Sequence, residues 1–482
     1  MPRLLGFAPD SEVRTEGALL SCSNLVPTRK GFASVRALNS LGALALETPA
    51  HGMGCITTGL GRFIYAGTVD KIYKYAEPDW QRVSRLVPYI AAPHWMFTNF
   101  GDVVLAASGV NKIQSLPNVV GQPFDRFDDI PEAPKAKLVV VSNGFVLAFS
   151  IEGNPDGWAC SALYDHLTWV PNAAKQSANG RLIDSMGEIV AALPLGDGVA
   201  VYKKNVVYLA TYVGAPSQNI IWAFERVSKE AGALSSTSVA DIGGKHFIVG
   251  QNDFFIFDGS RPYRLEAPVK EWFFRRLHKK KVDSVVCFFD ETTRCVYISF
   301  CDKTLSDTNN TTLVYNIDTQ CWGKIDFGAN VSGAFYSIGI TYDALGERFR
   351  VYNDLTADVF DEIGFSEVFS SPKFFNADNV LCDMSGAPLD SKLETWIAGD
   401  YSDISRVLRV LPEFTTAPQA STLTHLYADH PTKPFRSFNE TGLVNGLYYT
   451  NLSSRWHQFK ITTKGLFEIT SLDLDAIFAG KN

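Results

Sequence analysis

No stretch of this 482-residue sequence holds about 18 consecutive apolar residues, so no transmembrane helix is expected. The opening MPRLLGFAPDSEVRTEG reaches Asp10, Glu12 and Arg14 after few apolar residues and is not expected to be a signal peptide. Without secretion, the Asn-x-Ser/Thr triplets at Asn309, Asn310, Asn439 and Asn451 carry no glycosylation expectation. Eight cysteines (Cys22, Cys55, Cys160, Cys287, Cys295, Cys301, Cys321, Cys382) include no CxxC pair, and their spacings match no zinc framework. Buried free thiols in a reducing compartment are the expectation. Excess positive charge is missing too. The formal net charge is −7, which argues against a surface built for tight phosphate capture.

Catalytic patterns are equally scarce. Eight histidines form no HExxH and no HxH, and the chain has no GxSxG, GxxxxGK[ST] or GxGxxG. His425 and His430 flank Asp429, but loop polarity accounts for them better than a metal does. The acid pairs Asp128-Asp129 and Asp361-Glu362 sit in loop-like contexts, and adjacency alone does not make an acid–base couple. No catalytic residue, metal ligand or cofactor is assigned, and the chain is not expected to be an enzyme.

What the sequence does have is aromatic hairpins. In GGKHFIVGQNDFFIFDGSRPYRL (243–265) a polar corner, Gly250 to Asp253, separates two apolar runs. Phe254, Phe255, Ile256 and Phe257 put apolar groups on both faces of one strand. A half-solvated antiparallel strand would alternate, so this one must be covered on both sides. Approximate copies run through 61–75, 101–116, 139–150, 196–212, 285–300, 311–325 and 347–360. Their spacing of roughly 35–50 residues is that of propeller blades, in which each small sheet is pressed between neighbours. A large sandwich or several unrelated β domains is the competing architecture.

The pattern predicts an all-β chain. Residues 1–50 read as an N-terminal arm whose Phe32–Leu38 strand closes the ring. Residues 51–365 read as a β-propeller of six or seven blades, and 366–482 as a C-terminal antiparallel β-sandwich-like domain. The boundary is placed near Gly364 to Lys373. Long connections at 117–137, 152–187 and 214–235 are of a size that meets partners. One short amphipathic helix is expected in EAPVKEWFFRRLHKKKVDS (266–284), with Val269, Trp272, Phe273 and Leu277 on its apolar side. Lys270, Arg275, Arg276, Lys279, Lys280 and Lys281 make it the one dense basic cluster. They are either a solvated helix end suited to the helix dipole, or a contact for phosphates or an acidic neighbouring subunit.

LVYNIDTQCWGKI (313–325) resembles the Tyr-Asn-x-x-Thr-x-x-Trp turn of kelch-like blades, where the Trp packs between blades. Three longer stretches resemble the nozzle or head-completion proteins of short-tailed phages. The first is the order GDGVAVYKKNVVYLATYVGAP, GGKHFIVGQNDFFIFDG, then VKEWFFRRL. The second is VYISFCDK followed by TTLVYNIDTQCWGKIDFG, and the third is the terminal SSRWHQFKITTKGLFEITSLDLDAIFAGKN. NLVPTRKGF resembles the opening of that group. More elaborate nozzles are much longer, and their tip domains have no room here.

The resemblance implies a structural virion protein of the tail, made in the host cytoplasm and lacking catalytic residues. It implies a homo-hexameric ring below the portal and adaptor proteins and beside tail fibre, spike or needle proteins. That ring would retain packaged double-stranded DNA and conduct it during ejection, with no membrane insertion by this chain. The alternatives are a propeller enzyme of glycoside hydrolase type and a kelch-like interaction module.

Overall fold

The computed structural model describes residues 3–41, 44–59, 61–76, 79–117, 126–215, 220–305, 308–337 and 369–481. Six separate four-stranded sheets form a propeller. The first runs through Gly52–Thr58, Gly61–Gly67, Ile72–Ala76 and Asp79–Arg82. The second holds Met96–Phe100, Val103–Ala107, Gln114–Pro117 and Asp128–Asp129. The third holds Ala136–Ser142, Phe145–Ile151, Asn154–Cys160 and Ala178–Arg181. The fourth holds Ala191–Leu195, Gly198–Tyr202, Val207–Ala215 and Ile220–Ser228. The fifth holds Val239–Asp241, His246–Val249, Phe254–Phe257 and Pro262–Arg264. The last combines Val331–Ser337, Phe369–Phe375 and Leu381–Asp383 with Asn39–Ser40.

A further meander, Val286–Asp290, Cys295–Phe300, Thr311–Asn316 and Trp322–Ile325, is continuous with a large sheet. Its first strand packs against Val239–Asp241 on one side and Val331–Ser337 on the other, so it stands in the ring between the fifth and last sheets. The first strands of the other sheets follow one another in the same way.

The two-faced strands are explained by this arrangement. Phe254 enters a core with Phe247, Phe273, Tyr315 and Trp322. Its neighbours Phe255 and Phe257 enter another with Ala200, Tyr202 and Val207. The corner at 250–253 closes with the Gly250 amide donating to the Asp253 carbonyl (2.9 Å). Left-handed backbone is needed one turn earlier, at Gly243 and Gly244 (φ 86° and 80°), whose amides donate to Asp241 Oδ1. In the third sheet Asn143 and Gly144 (φ 51° and 77°) form the two-residue turn between the paired Ser142 and Phe145. Trp322 is buried against Tyr315 (4.8 Å) and Phe254 (5.2 Å), the packing role that its kelch-like setting suggested.

Three expectations need correcting. The N-terminal stretch is not an arm of little regular structure. Gly6–Phe7, Ala18–Ser23, Leu25–Pro27 and Phe32–Ser34 join the large sheet, because Leu4, Phe7, Leu19, Leu25 and Phe32 are core residues. Ring closure from the N-terminus uses Asn39–Ser40 on Leu381–Asp383; Phe32–Ser34 pairs instead with Leu25–Pro27 and Glu468–Lys481. The last propeller sheet therefore takes strands beyond residue 365. Residues 338–368, including the hairpin expected at 347–360 and the Asp361-Glu362 pair, lie outside the described residues, as does 118–125 of the acidic loop. Finally, the helix is Lys270–Arg276 alone. Leu277 turns extended (φ −51°, ψ 129°) to bridge Asp302, so the three lysines follow the helix in a turn instead of capping its dipole.

Both Asp10 carboxylate oxygens accept from the Trp272 amide (2.9 and 3.1 Å), and the Asp10 amide donates to the Pro268 carbonyl. Asp10→Ala is expected to cost about 1 kcal/mol in urea unfolding; an unchanged midpoint and slope would show that the contact contributes nothing.

The strands from Ser391–Thr395 to Glu468–Lys481, expected as a sandwich-like unit, lie in one sheet that is nearly closed. Its path runs Arg436–Gly442, Ala420–Ala428, Trp456–Lys464, Ser391–Thr395, then the N-terminal strands and Trp322–Ile325. It ends in Glu468–Lys481, Asp403–Thr416 and Tyr448–Ser454. The final amphipathic strand is the long partner of Asp403–Thr416, with Leu472 in the core.

Candidate functional site

The six cations singled out in the sequence are divided by the fold. Lys270 pairs with Asp253 (3.2 Å). Arg276 pairs with the buried Asp302 (2.8 Å), donates to Thr304 and lies over the Trp272 ring (4.9 Å). Burial alone would raise the Asp302 carboxyl, but hydrogen bonds from Thr304 and Arg276 hold it below the usual carboxylate range. These two cations fasten the helix to its surroundings and are the weaker candidates for contact with a partner.

Arg275, Lys279, Lys280 and Lys281 are exposed, and no carboxylate pairs with them among the described residues. The sequence reading missed a fifth member, Lys303. Its amide donates to the Arg276 carbonyl (3.1 Å), and its exposed side chain extends the basic corner. Only the Leu277–Asp302 bridge brings it there, and no pattern in the sequence announces that pairing.

The chain reaches the propeller axis two residues after the basic corner. Asp283 and Ser284, just after Lys281, line a cavity of about 440 Å³ with Leu193, Val239, Val286 and Ser332 from the first strands of several sheets and with His51 and His94, which precede two of them. His51 Nδ1 lies 2.7 Å from the Ala92 carbonyl. A carbonyl only accepts, so Nδ1 carries a proton. His94 Nε2 is buried without a hydrogen-bond partner among the described residues. Burial, then Lys137 and His51, hold the His94 imidazole down to about pKa 4, so it is neutral near pH 7. The neutral His94 imidazole suits hydrogen bonding, not proton transfer between charged groups. Among the described residues the one carboxylate in the lining is Asp283.

A larger cavity of about 630 Å³ lies where the large sheet meets the ring, lined by Val26, Val35, Tyr297, Met384 and Leu466 with Arg29 and Arg36. Among the described residues no group of three or more His, Cys, Asp or Glu is placed to hold a metal. His425 and His430 do not share a site: His425 is buried on a strand, and His430 is exposed. The cysteines are free, six of them buried. Burial pushes the thiols of Cys22 and Cys55 to about 12, which makes them poor nucleophiles. No helix among the described residues is long and apolar enough to cross a membrane.

No protein-family model matches the chain, and no curated protein matches it in sequence. Among solved structures it is similar to a chain of "Crystal Structure of Mitotic Checkpoint Complex", at 8% identity and a TM-score of 0.42, over 75% of this chain and 93% of that one.

Proposed function

We propose that this chain is a structural protein of a phage tail. In this reading several copies, six by the sequence resemblance, form a ring beneath the portal and adaptor that retains packaged double-stranded DNA and conducts it on ejection. The observation that carries the reading is the exposed corner of Arg275, Lys279, Lys280, Lys281 and Lys303 on an otherwise acidic chain.

A conduit must hold a duplex without gripping it. Each neutralised phosphate adds salt-dependent affinity, so a wall of net negative charge lets DNA slide while a small basic rim gives it a local hold. Six copies would carry a formal charge of about −42, which disfavours adhesion along the wall. The same rim could instead meet an acidic surface of the next copy. In either case it is the part of the surface on which assembly or DNA retention depends.

The axial cavity is the observation that favours the competing glycoside hydrolase reading. Paired-acid hydrolysis needs two carboxyl groups facing the bond, and the described lining supplies only Asp283.

Changing Lys279, Lys280 and Lys281 together to serine tests the proposal. The expected outcome is loss of the oligomer in a native mass measurement, or weaker DNA retention with a salt slope shallower by up to about three. Wild-type behaviour in both assays would remove the basic corner from the mechanism. A 53.1-kDa species at every concentration would remove the ring itself.

A further inference from the structure

The two end strands of the large sheet, Arg436–Gly442 and Tyr448–Ser454, are joined at one end by a turn that the Val444–Leu447 bridge closes, and beyond that turn no backbone ladder joins them among the described residues. Among the described residues Tyr448–Ser454 pairs only with Asp403–Thr416, and Arg436–Gly442 only with Ala420–Ala428, yet these ends face each other. Side chains close the seam. Ser421 Oγ meets the Tyr448 hydroxyl, and Ser454 Oγ donates to the Ala428 carbonyl (3.0 Å). Between them a buried chain runs from Thr450 to His425, on to His457 and finally to Ser405 and Ser454.

The donors in that chain follow from its last member. His457 Nε2 lies 3.2 Å from the Ser405 carbonyl and 3.1 Å from the Ser454 carbonyl, so it must carry a proton. In the neutral ring Nδ1 is then the acceptor, and His425 Nε2–H donates to it across 2.9 Å. His425 Nδ1 is left to accept from the Thr450 hydroxyl. The chain has no place for another proton. On His457 Nδ1 it would oppose the His425 N–H. On His425 Nδ1 it would turn Thr450 from donor to acceptor and leave an imidazolium beside the rings of Phe438 and Phe459.

Among the described residues no charged group hydrogen-bonds to either ring, though Asp403 Oδ1 is buried without a hydrogen-bond partner. Arg406 is held at Asn451 Oδ1 and Glu440 receives Thr424, both in exposed positions. Burial pushes the Tyr448 hydroxyl up to about 12, outside the relevant range. Asp403, two residues before Ser405 on its strand, is the carboxylate nearest along that strand.

We propose that Thr450, His425, His457 and Ser405 form an acid-released latch that holds the two ends of the large sheet together. Burial, then the neighbouring His457, keep the His425 imidazole down at about 3 against an ordinary 6.5; burial likewise lowers His457. Groups whose folded pKa is depressed bind more protons when released, so the latch holds above about pH 6.5 and weakens as pH falls. His425 alone should favour the open seam about fiftyfold on going from pH 6.5 to 4.5.

Hydrogen exchange of the intact chain at pH 7.0 and 4.5, corrected for intrinsic rates, tests this. Peptides covering 403–416 and 448–454 should lose protection about a hundredfold, while those covering 245–257 in the propeller keep theirs. His425→Gln retains a donor and an acceptor but does not titrate, and should flatten the dependence. Seam protection that is equal at both pH values, or a folded His425→Gln chain with the full wild-type acid loss, overturns the latch. Should that variant not fold, selective histidine NMR of the wild-type chain decides. Two neutral rings, each protonated at Nε2, are expected at pH 6, and a charged ring or the other tautomer in the closed seam overturns it.

Discussion

Replacing Phe254 with alanine is expected to lower the unfolding free energy by about 3–5 kcal/mol, read as a drop in the urea midpoint. The ring is fully buried, and its neighbours belong to three different parts of the chain. Phe247 (6.1 Å) is on the adjacent strand of the fifth sheet. Phe273 (5.3 Å) and Phe274 (5.7 Å) are on the helix, and Trp322 (5.2 Å) is on the strand that continues into the large sheet. Trp322 in turn pairs with Gly6, so the N-terminal strands feel the same cavity. Collapse around the missing ring is hindered because these walls are held by separate ladders. Ile256, on the same face but only partly buried, is the control: Ile256→Ala should cost clearly less. A Phe254→Ala loss under about 1 kcal/mol would mean that the propeller and the large sheet do not meet through this ring.

The propeller could be read from residues such as these because a strand with Phe on both faces leaves few architectures. The alternation rule fails at Phe254–Phe257 in a way that demands cover on both sides, and the regular recurrence of such runs supplies the ring. The helix face was legible for a similar reason: Val269, Trp272, Phe273 and Leu277 are buried as their spacing requires. Its end was not legible. Arg276 to Lys281 continue a good helical pattern, and a pairing with Asp302, 25 residues beyond Leu277, overrides it. Gly6–Phe7, Ala18–Ser23 and Leu25–Pro27 were missed because each has only two to six residues and is stabilised by partners far along the chain.

The candidate site was half legible. Exposure of Lys279, Lys280 and Lys281 follows from their density, since three adjacent ammonium groups cannot all be buried. The pairing of Lys270 with Asp253 and of Arg276 with Asp302 needs tertiary proximity that no local pattern carries. His425 and His457, 32 residues apart, were read separately for the same reason.

Substituting valine for Gly67 or Gly52 is expected to be more damaging still, costing about 3–5 kcal/mol or preventing folding. The two glycines are direct partners on neighbouring strands of the first sheet, and together they form a notch facing the second sheet. Trp95, which leads into Met96–Phe100, fills that notch and donates its indole N–H to the Thr68 carbonyl (2.7 Å). A Cβ on Gly67 would overlap the indole ring, and one on Gly52 would overlap the Trp95 carbonyl oxygen. Backbone cannot yield as a flexible side chain can, so the first and second sheets must separate. Displacing the indole also strands a buried donor, which alone costs about 1–3 kcal/mol. Gly101 gives the contrast. It sits at φ 57° on a turn with open space around it, so Gly101→Asn, a residue that accepts left-handed backbone, should cost under about 1 kcal/mol. Urea unfolding followed by tryptophan emission separates the cases. If Gly67→Val stays within about 1 kcal/mol of the wild type, contact between neighbouring blades at Trp95 is not what closes this part of the ring.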